Sequence, residues 1–209
     1  GLKMKKLDHK KGLSATVSML MTLVVCQSVS VQASDIDIYS NSTGGQTRIM
    51  FVLDTSLSMA STWDGMACDA PSGATIVSRG NTSTVSASIV NGVSIPSYTR
   101  YYCRIREGSE TRNVNDRITK LIDGMLDVLA GRNGITRLTD DIEVGLTRFS
   151  GNTGTNGSGL VLVPTRRLDA SANATSGCTA MTQRACLVRK VAELRGTDRT
   201  PTGPAYGVA

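Results

Sequence analysis

One short segment constrains this chain more than any other: Ile49-Met50-Phe51-Val52-Leu53, five consecutive apolar residues that stop on Asp54. A run this short and this uninterrupted has the length and composition of a strand buried on both faces. Strands of that kind belong to α/β sheets covered by helices. In open α/β sheets, ligands bind outside the carboxyl ends of the strands. Position alone therefore makes Asp54 and the residues after it a candidate site.

The rest of the chain reads as mixed structure. Residues 60–112 are rich in Ser, Thr, Gly and Asn and show no helical period. They are expected to form an inserted excursion closed by a disulfide, with a small hairpin through Thr84–Val93. From Asn113 onward, Val114, Ile118, Leu121, Ile122, Met125 and Leu129 recur at three- and four-residue steps, the mark of one apolar helix face. Asn113 or Asn115 is the expected cap and Gly131 the stop. Ile142 to Phe149 and Leu160 to Val163 read as two strands joined by a long Gly/Asn/Thr loop, hence a hairpin. Cys186 to Arg195 reads as a short helix with Leu187, Val188, Val191 and Leu194 inward. This order predicts an α/β sheet with one antiparallel edge strand.

Charge and cysteine usage narrow the chemistry. The formal net charge is +6, but Lys3, Lys5, Lys6, Lys10 and Lys11 against Asp8 supply +4 within residues 1–33, leaving +2 elsewhere. No continuous basic face with stacking aromatics is visible, which excludes a nucleic-acid groove. The basic start, the apolar run from Val17 to Val31 and Val31-Gln32-Ala33 predict a signal peptide cleaved after Ala33. Thr22, Gln27, Ser28 and Ser30 interrupt the run and weigh against a membrane anchor. At Cys26, the preceding Val25 is too bulky for lipidation. Contact with a membrane is thus expected only during export, towards the periplasm or the cell surface.

Cleavage would remove the chain's one histidine, His9. Ser-His-Asp and Cys-His catalysis and His-ligated zinc are then excluded from residues 34–209. No enzyme is expected. Four cysteines remain, Cys68, Cys103, Cys178 and Cys186; an even number in an exported chain predicts disulfides, with three connectivities open. Pairing by proximity gives Cys68–Cys103 and Cys178–Cys186. A four-thiolate zinc site lacks any Cys-x-x-Cys pair.

In the loop after the first strand, Asp54, Ser56 and Ser58 offer one carboxylate and two hydroxyls. These are hard oxygen donors suited to Mg²⁺, with Mn²⁺ or Ca²⁺ as alternatives. A metal held by so few charges keeps an open position for a partner's carboxylate. The bland alternative is a Ser/Thr-rich turn whose hydroxyls satisfy backbone groups. An acyl-phosphate enzyme of the haloacid dehalogenase type needs a second aspartate where this chain has Ser56.

Ile49 to Leu53 followed by Asp54-Thr55-Ser56-Leu57-Ser58 resembles the opening strand and metal loop of von Willebrand factor type A domains. Arg199-Thr200-Pro201-Thr202-Gly203-Pro204-Ala205 looks like the family's threonine loop, and Val144 to Ser150 like its second strand. The similarity spans about 48–209. The resemblance implies a Rossmann-like sheet carrying a metal-ion-dependent adhesion site. Asp54 would reach the metal through water, Ser56 and Ser58 would bind directly, and Thr200 (with Thr202 as the alternative) would complete the cradle. Leu57 departs from the frequent glycine, and the family's second aspartate would fall beyond Ala209.

The signal peptide, Asp35-Ile36-Asp37-Ile38-Tyr39 and a Gly-containing spacer ahead of this loop look like the start of type IV pilus tip adhesins. The expectation is an adhesion module at a pilus tip or cell surface. Its partner would be a protein or host-surface ligand with an acidic group, with pilin subunits as a further partner. The alternative is a metal-independent assembly domain.

Overall fold

A computed structural model describes residues 47–63, 65–149 and 159–197 of the chain. Residues 1–33, where a signal peptide is expected, the stretch 34–46 expected as an extended leader, and Thr200 and Thr202 lie outside the described residues.

The central sheet has the order β1-β7-β8. β1 (Arg48–Leu53) runs parallel to β7 (Glu143–Phe149), with Leu53 opposite Arg148, and β7 runs antiparallel to β8 (Gly159–Arg167). The fold is thus α/β-like with an antiparallel edge. Leu53 is fully buried, whereas Ile49 to Val52 are half-buried, since among the described residues β1 pairs with β7 alone. Pro164, which has no amide proton to give, sits in the edge strand β8, where none is needed.

A parallel pair requires a crossover, and helix α1 (Arg117–Ala130) lies within the one joining β1 to β7. Its buried face is Ile118, Ile122, Met125, Leu126 and Leu129. The helix starts four residues later than the sequence suggested. Asn113 and Asn115 belong to a strand, and Asp116 is the cap, its carboxylate accepting from Thr119 N–H at 3.0 Å. Gly131 ends the helix in the left-handed conformation, its N–H donating to Asp127 O at 2.8 Å.

Helix α2 (Gln183–Ala192) begins one turn before the expected Cys186, capped by Thr182. Leu187, Val188, Val191 and Leu194 join the α1 face and Leu53, Val144, Leu146 and Val163 of the sheet in one core. Two polar residues of its first turn are buried there. Gln183 Nε2 donates to Val144 O and Pro164 O, both at 2.7 Å, beside the register shift between β7 and β8. Arg184 donates to Leu129 O and Leu138 O at 2.6 Å each and pairs with Asp140 at 2.8 Å. Its charge therefore sits where the carbonyls of α1 end.

The Ser/Thr-rich stretch after β1 is folded rather than loose. β2 (Thr75–Val85), β5 (Tyr98–Glu107) and β6 (Glu110–Asn115) make an antiparallel sheet in the order β2-β5-β6. β3 (Ser88–Val90) and β4 (Val93–Ile95) form a separate hairpin. It turns at Asn91-Gly92, both at positive φ, the dipeptide that fits a tight hairpin turn. Asn91 Nδ2 also donates to Ala130 O and Gly131 O, so the turn covers the carboxyl end of α1. Val93, Ile95 and Tyr98 enter the main core.

The disulfides are Cys68–Cys103 and Cys178–Cys186, the pairing by proximity. Both are fully buried, and disulfides fit an oxidising compartment. Among the described residues no helix is long and apolar enough to cross a membrane.

Candidate functional site

The chain leaves β1 through Asp54, which is half-buried, and turns at once. Asp54 Oδ1 accepts the Ser56 N–H at 2.8 Å, a side-chain-closed turn of the kind aspartate favours. Ser56 is extended (φ −68°, ψ 164°), and a single 3₁₀ turn, Leu57–Met59, follows it. In that position a serine hydroxyl commonly caps the turn; here it makes no cap bond. Instead Ser56 Oγ stands 2.9 Å from Ser58 Oγ. Ser56 is only 1% exposed, whereas Ser58 faces solvent, so the hydroxyl pair has a closed side and an open side.

Three neighbours hold this loop in place. From above, Thr197 N–H donates to Thr55 O at 3.1 Å. Gly196 beside it packs so closely that an added Cβ would stand 2.8 Å from Ala60 Cβ and 3.2 Å from Ser56 O. From the helix side, Arg117 Nη1 donates to Ser58 O at 3.3 Å while the same guanidinium pairs with Asp69 at 2.7 Å. Lys120 also bonds Asp69 at 3.1 Å. Burial opposes ionisation of Asp69, but the hydrogen bonds from Arg117 and Lys120 outweigh it and hold the carboxyl below its usual pKa. Behind the loop, the buried Asp116 accepts from Ser61 N–H at 2.9 Å and from Ser61 Oγ at 3.0 Å.

Of the four proposed metal ligands, the structure brings Asp54, Ser56 and Ser58 into one turn; Thr200 lies outside the described residues. Among the described residues no group of three or more His, Cys, Asp and Glu is placed to hold a metal. A metal here would thus be held by hydroxyls and one carboxylate rather than by a carboxylate cage.

Sequence reasoning missed Gly196, Arg117 and Asp116. Asp116 had a readable signal, an aspartate three residues before Thr119 at the head of the apolar period. Gly196 and Arg117 act through positions that only the tertiary fold sets. Comparison with known proteins returns no match: no family model, no curated protein and no solved structure aligns significantly with the chain.

Proposed function

We propose that the chain is an exported adhesion module with a von Willebrand factor type A-like fold and a metal-ion-dependent adhesion site at Asp54, Ser56, Ser58 and Thr200. The observation that carries the reading is the 2.9 Å separation of Ser56 Oγ and Ser58 Oγ at the carboxyl end of a parallel strand. That length is also an ordinary hydroxyl–hydroxyl hydrogen bond. It equally matches one edge of a coordination octahedron: Mg²⁺–oxygen bonds of about 2.0–2.1 Å put adjacent ligand oxygens about 2.9 Å apart. The donor set, two neutral hydroxyls and one carboxylate, fits a hard divalent cation of this size.

Several features support the remaining parts. The parallel β1–β7 pair with antiparallel β8 beside it agrees with the opening half of the family's sheet. Thr197 N–H is bonded to Thr55 O, so the chain three residues ahead of Thr200 meets the loop. When bound, a divalent cation supplies a positive coordination position for a carboxylate of the partner. The chain's own residues do the rest. Ser56 and Ser58 present oxygens, Asp54 fixes the turn through Ser56 N–H, and Arg117 and Gly196 hold the loop. The leader and export signal support a place at a type IV pilus tip, with a protein or host-surface ligand as partner.

A metal-independent assembly role is the second reading; the single carboxylate in the loop favours it. Calorimetric titration of the intact protein with Mg²⁺, Mn²⁺ and Ca²⁺ separates the two. Metal binding lost in Asp54→Ala and Ser56→Ala supports adhesion through metal, whereas wild-type adhesion unchanged by chelator sinks it.

A further inference from the structure

The carboxyl end of α1 is fastened by two side-chain amides, and each belongs to an asparagine followed by glycine. Of the three Asn-Gly pairs in the sequence, Asn91-Gly92 and Asn133-Gly134 lie among the described residues and Asn156-Gly157 does not. Both described pairs are exposed, with asparagine and glycine alike at positive φ. Asn91 Nδ2 donates to Ala130 O at 3.0 Å and to Gly131 O at 2.9 Å, carbonyls of a helix end that have no partner within the helix. Asn133 Nδ2 donates to Asp127 Oδ1 and Oδ2 at 3.1 and 3.2 Å, and Arg132 Nε reaches the same Oδ1 at 2.7 Å.

The chemistry of such a pair follows from glycine's lack of a side chain: nothing crowds its backbone nitrogen as it attacks the asparagine Cγ. An N–Cγ bond forms, the Cγ–Nδ2 bond breaks, and ammonia leaves with the backbone proton, giving a five-membered succinimide. Water then opens one of the two ring carbonyls. The product is aspartate or, with the backbone rerouted through the side chain, isoaspartate; water is the only reactant consumed. The attack needs a backbone free to turn, which the closed hairpin denies. β3 and β4 are three residues each and pair only with each other, and a lone two-stranded hairpin is marginally stable. β4 is anchored by Val93 and Ile95 in the main core, whereas Ser88 and Ile89 of β3 are exposed. Releasing β3 and its turn therefore leaves the core in place, a local opening rather than a global one.

We propose that Asn91 is a self-modification site that works as a one-way latch: the closed turn guards the amide, opening exposes it to Gly92, and the product no longer fastens α1. An ionised carboxylate at position 91 accepts hydrogen bonds and donates none. It would face Ala130 O and Gly131 O at the negative end of the helix dipole, so a contact of two donors becomes a repulsion. Asn133 is the internal contrast. A carboxylate there would meet Asp127, but Arg132 stands in the same cluster to balance the charge. The latch makes no use of the metal loop and is independent of whether that loop holds an ion.

The test follows the intact protein at neutral and mildly alkaline pH by peptide mapping, which reads each amide-to-acid conversion by mass, with the urea-unfolded chain as reference. Expected is conversion at Asn91 that quickens with pH and runs about tenfold or more slower in the folded protein than in the unfolded one. The fraction converted at Asn91, separated by its added negative charge, is expected to melt a few degrees below the unconverted protein. Asn91→Asp should reproduce that shift, and Asn133→Asp should show a smaller one. No conversion at Asn91 in the folded protein, equal rates folded and unfolded, or a converted fraction that melts like the unconverted protein overturns the proposal. So does an Asn133→Asp shift as large as that of Asn91→Asp, which would assign the loss to charge alone. Should Asn91→Asp fail to fold, the converted fraction of the wild type still decides.

Discussion

Gly196 lies against Ala60 with no room for a side chain between them: an added Cβ would approach Ala60 Cβ to 2.8 Å and Ser56 O to 3.2 Å. Real Cβ atoms do not come that close, so either the segment of Gly196 or the loop that carries Ser56 and Ala60 must shift if Gly196 changes. Overpacking of this kind costs about 1–3 kcal/mol. Gly196→Ala is therefore expected to lower the melting temperature and to weaken divalent-metal binding. A variant that melts and titrates like the wild type would show that the loop has slack.

Asp116 joins the two ends of the β2–β6 excursion. One carboxylate oxygen caps α1 at Thr119 N–H, and the other takes both the N–H and the hydroxyl of Ser61. Removing it loses a cap and strands a buried N–H, together about 2–4 kcal/mol. Asp116→Ala is expected to lose that much in denaturant unfolding, and Asp116→Asn less, because one acceptor oxygen remains. Equal losses in the two variants would argue that charge, not acceptor geometry, matters.

The two disulfides differ in the length of chain they close, with sequence separations of 35 and 8. Loop entropy gives about 4 kcal/mol for the first and about 2.5 kcal/mol for the second. Replacing Cys68 and Cys103 by Ala is expected to be the more damaging double change. The reverse ranking in chemical denaturation would mean that the 178–186 link supports the core beyond its entropy.

Tyr98 fixes a pH dependence at the alkaline end. Burial raises the phenol above its ordinary 10.0, and the neighbouring Asp123 carboxylate adds to this against the opposing Arg132. A folded pKa raised above the unfolded value stabilises the protein fully below pH 10, and the contribution fades as pH rises towards the folded pKa. The phenolate absorbance is expected to show one tyrosine titrating late. Tyr98→Phe should remove that step and flatten the alkaline loss of stability; persistence of the step assigns it to another ring.

The sequence revealed those elements whose own pattern faces a large core. The apolar period of α1, its stop at Gly131, the pair β7 and β8, and the inward residues of α2 all bury against one another, so their periodicity survives in the chain. The start of α1 was misread because Asn113 and Asn115 are good caps in isolation. They pair instead with Arg104 and Tyr102 across β5 and β6, a long-range choice that local propensity does not encode. The strands β2 and β5 were invisible for a related reason. One face covers only the small cluster around Cys68, Cys103 and Ile105, so apolar alternation is faint. The hairpin expected through Thr84–Val93 lies instead over Ser88–Ile95, turning at Asn91-Gly92, because Thr84 and Val85 pair with β5. At the candidate site, Asp54, Ser56 and Ser58 and their place after a strand were readable. The closure by Gly196 and Arg117 was not, since it joins segments more than 50 residues apart.

Size selectivity gives the sharpest test of the Ser56–Ser58 pair. Their hydroxyl oxygens are 2.9 Å apart, and the turn that sets this distance is fixed by Asp54 on one side and Ser58 O–Arg117 on the other. Calcium–oxygen bonds of about 2.3–2.6 Å would ask adjacent oxygens to stand about 3.3–3.7 Å apart. Widening the pair for Ca²⁺ breaks the 2.9 Å contact and, on the Ser56 side, disturbs a residue that is only 1% exposed. Mg²⁺ and Mn²⁺ are therefore expected to bind more tightly than Ca²⁺, by calorimetry at equal ionic strength. Ser58→Ala, at the exposed member, should weaken both without unfolding the chain. Gly196→Ala should weaken the smaller ions more than Ca²⁺ if displacement widens the pair. Tighter Ca²⁺ than Mg²⁺ binding in the wild type would mean that the hydroxyls do not act as adjacent ligands at this spacing.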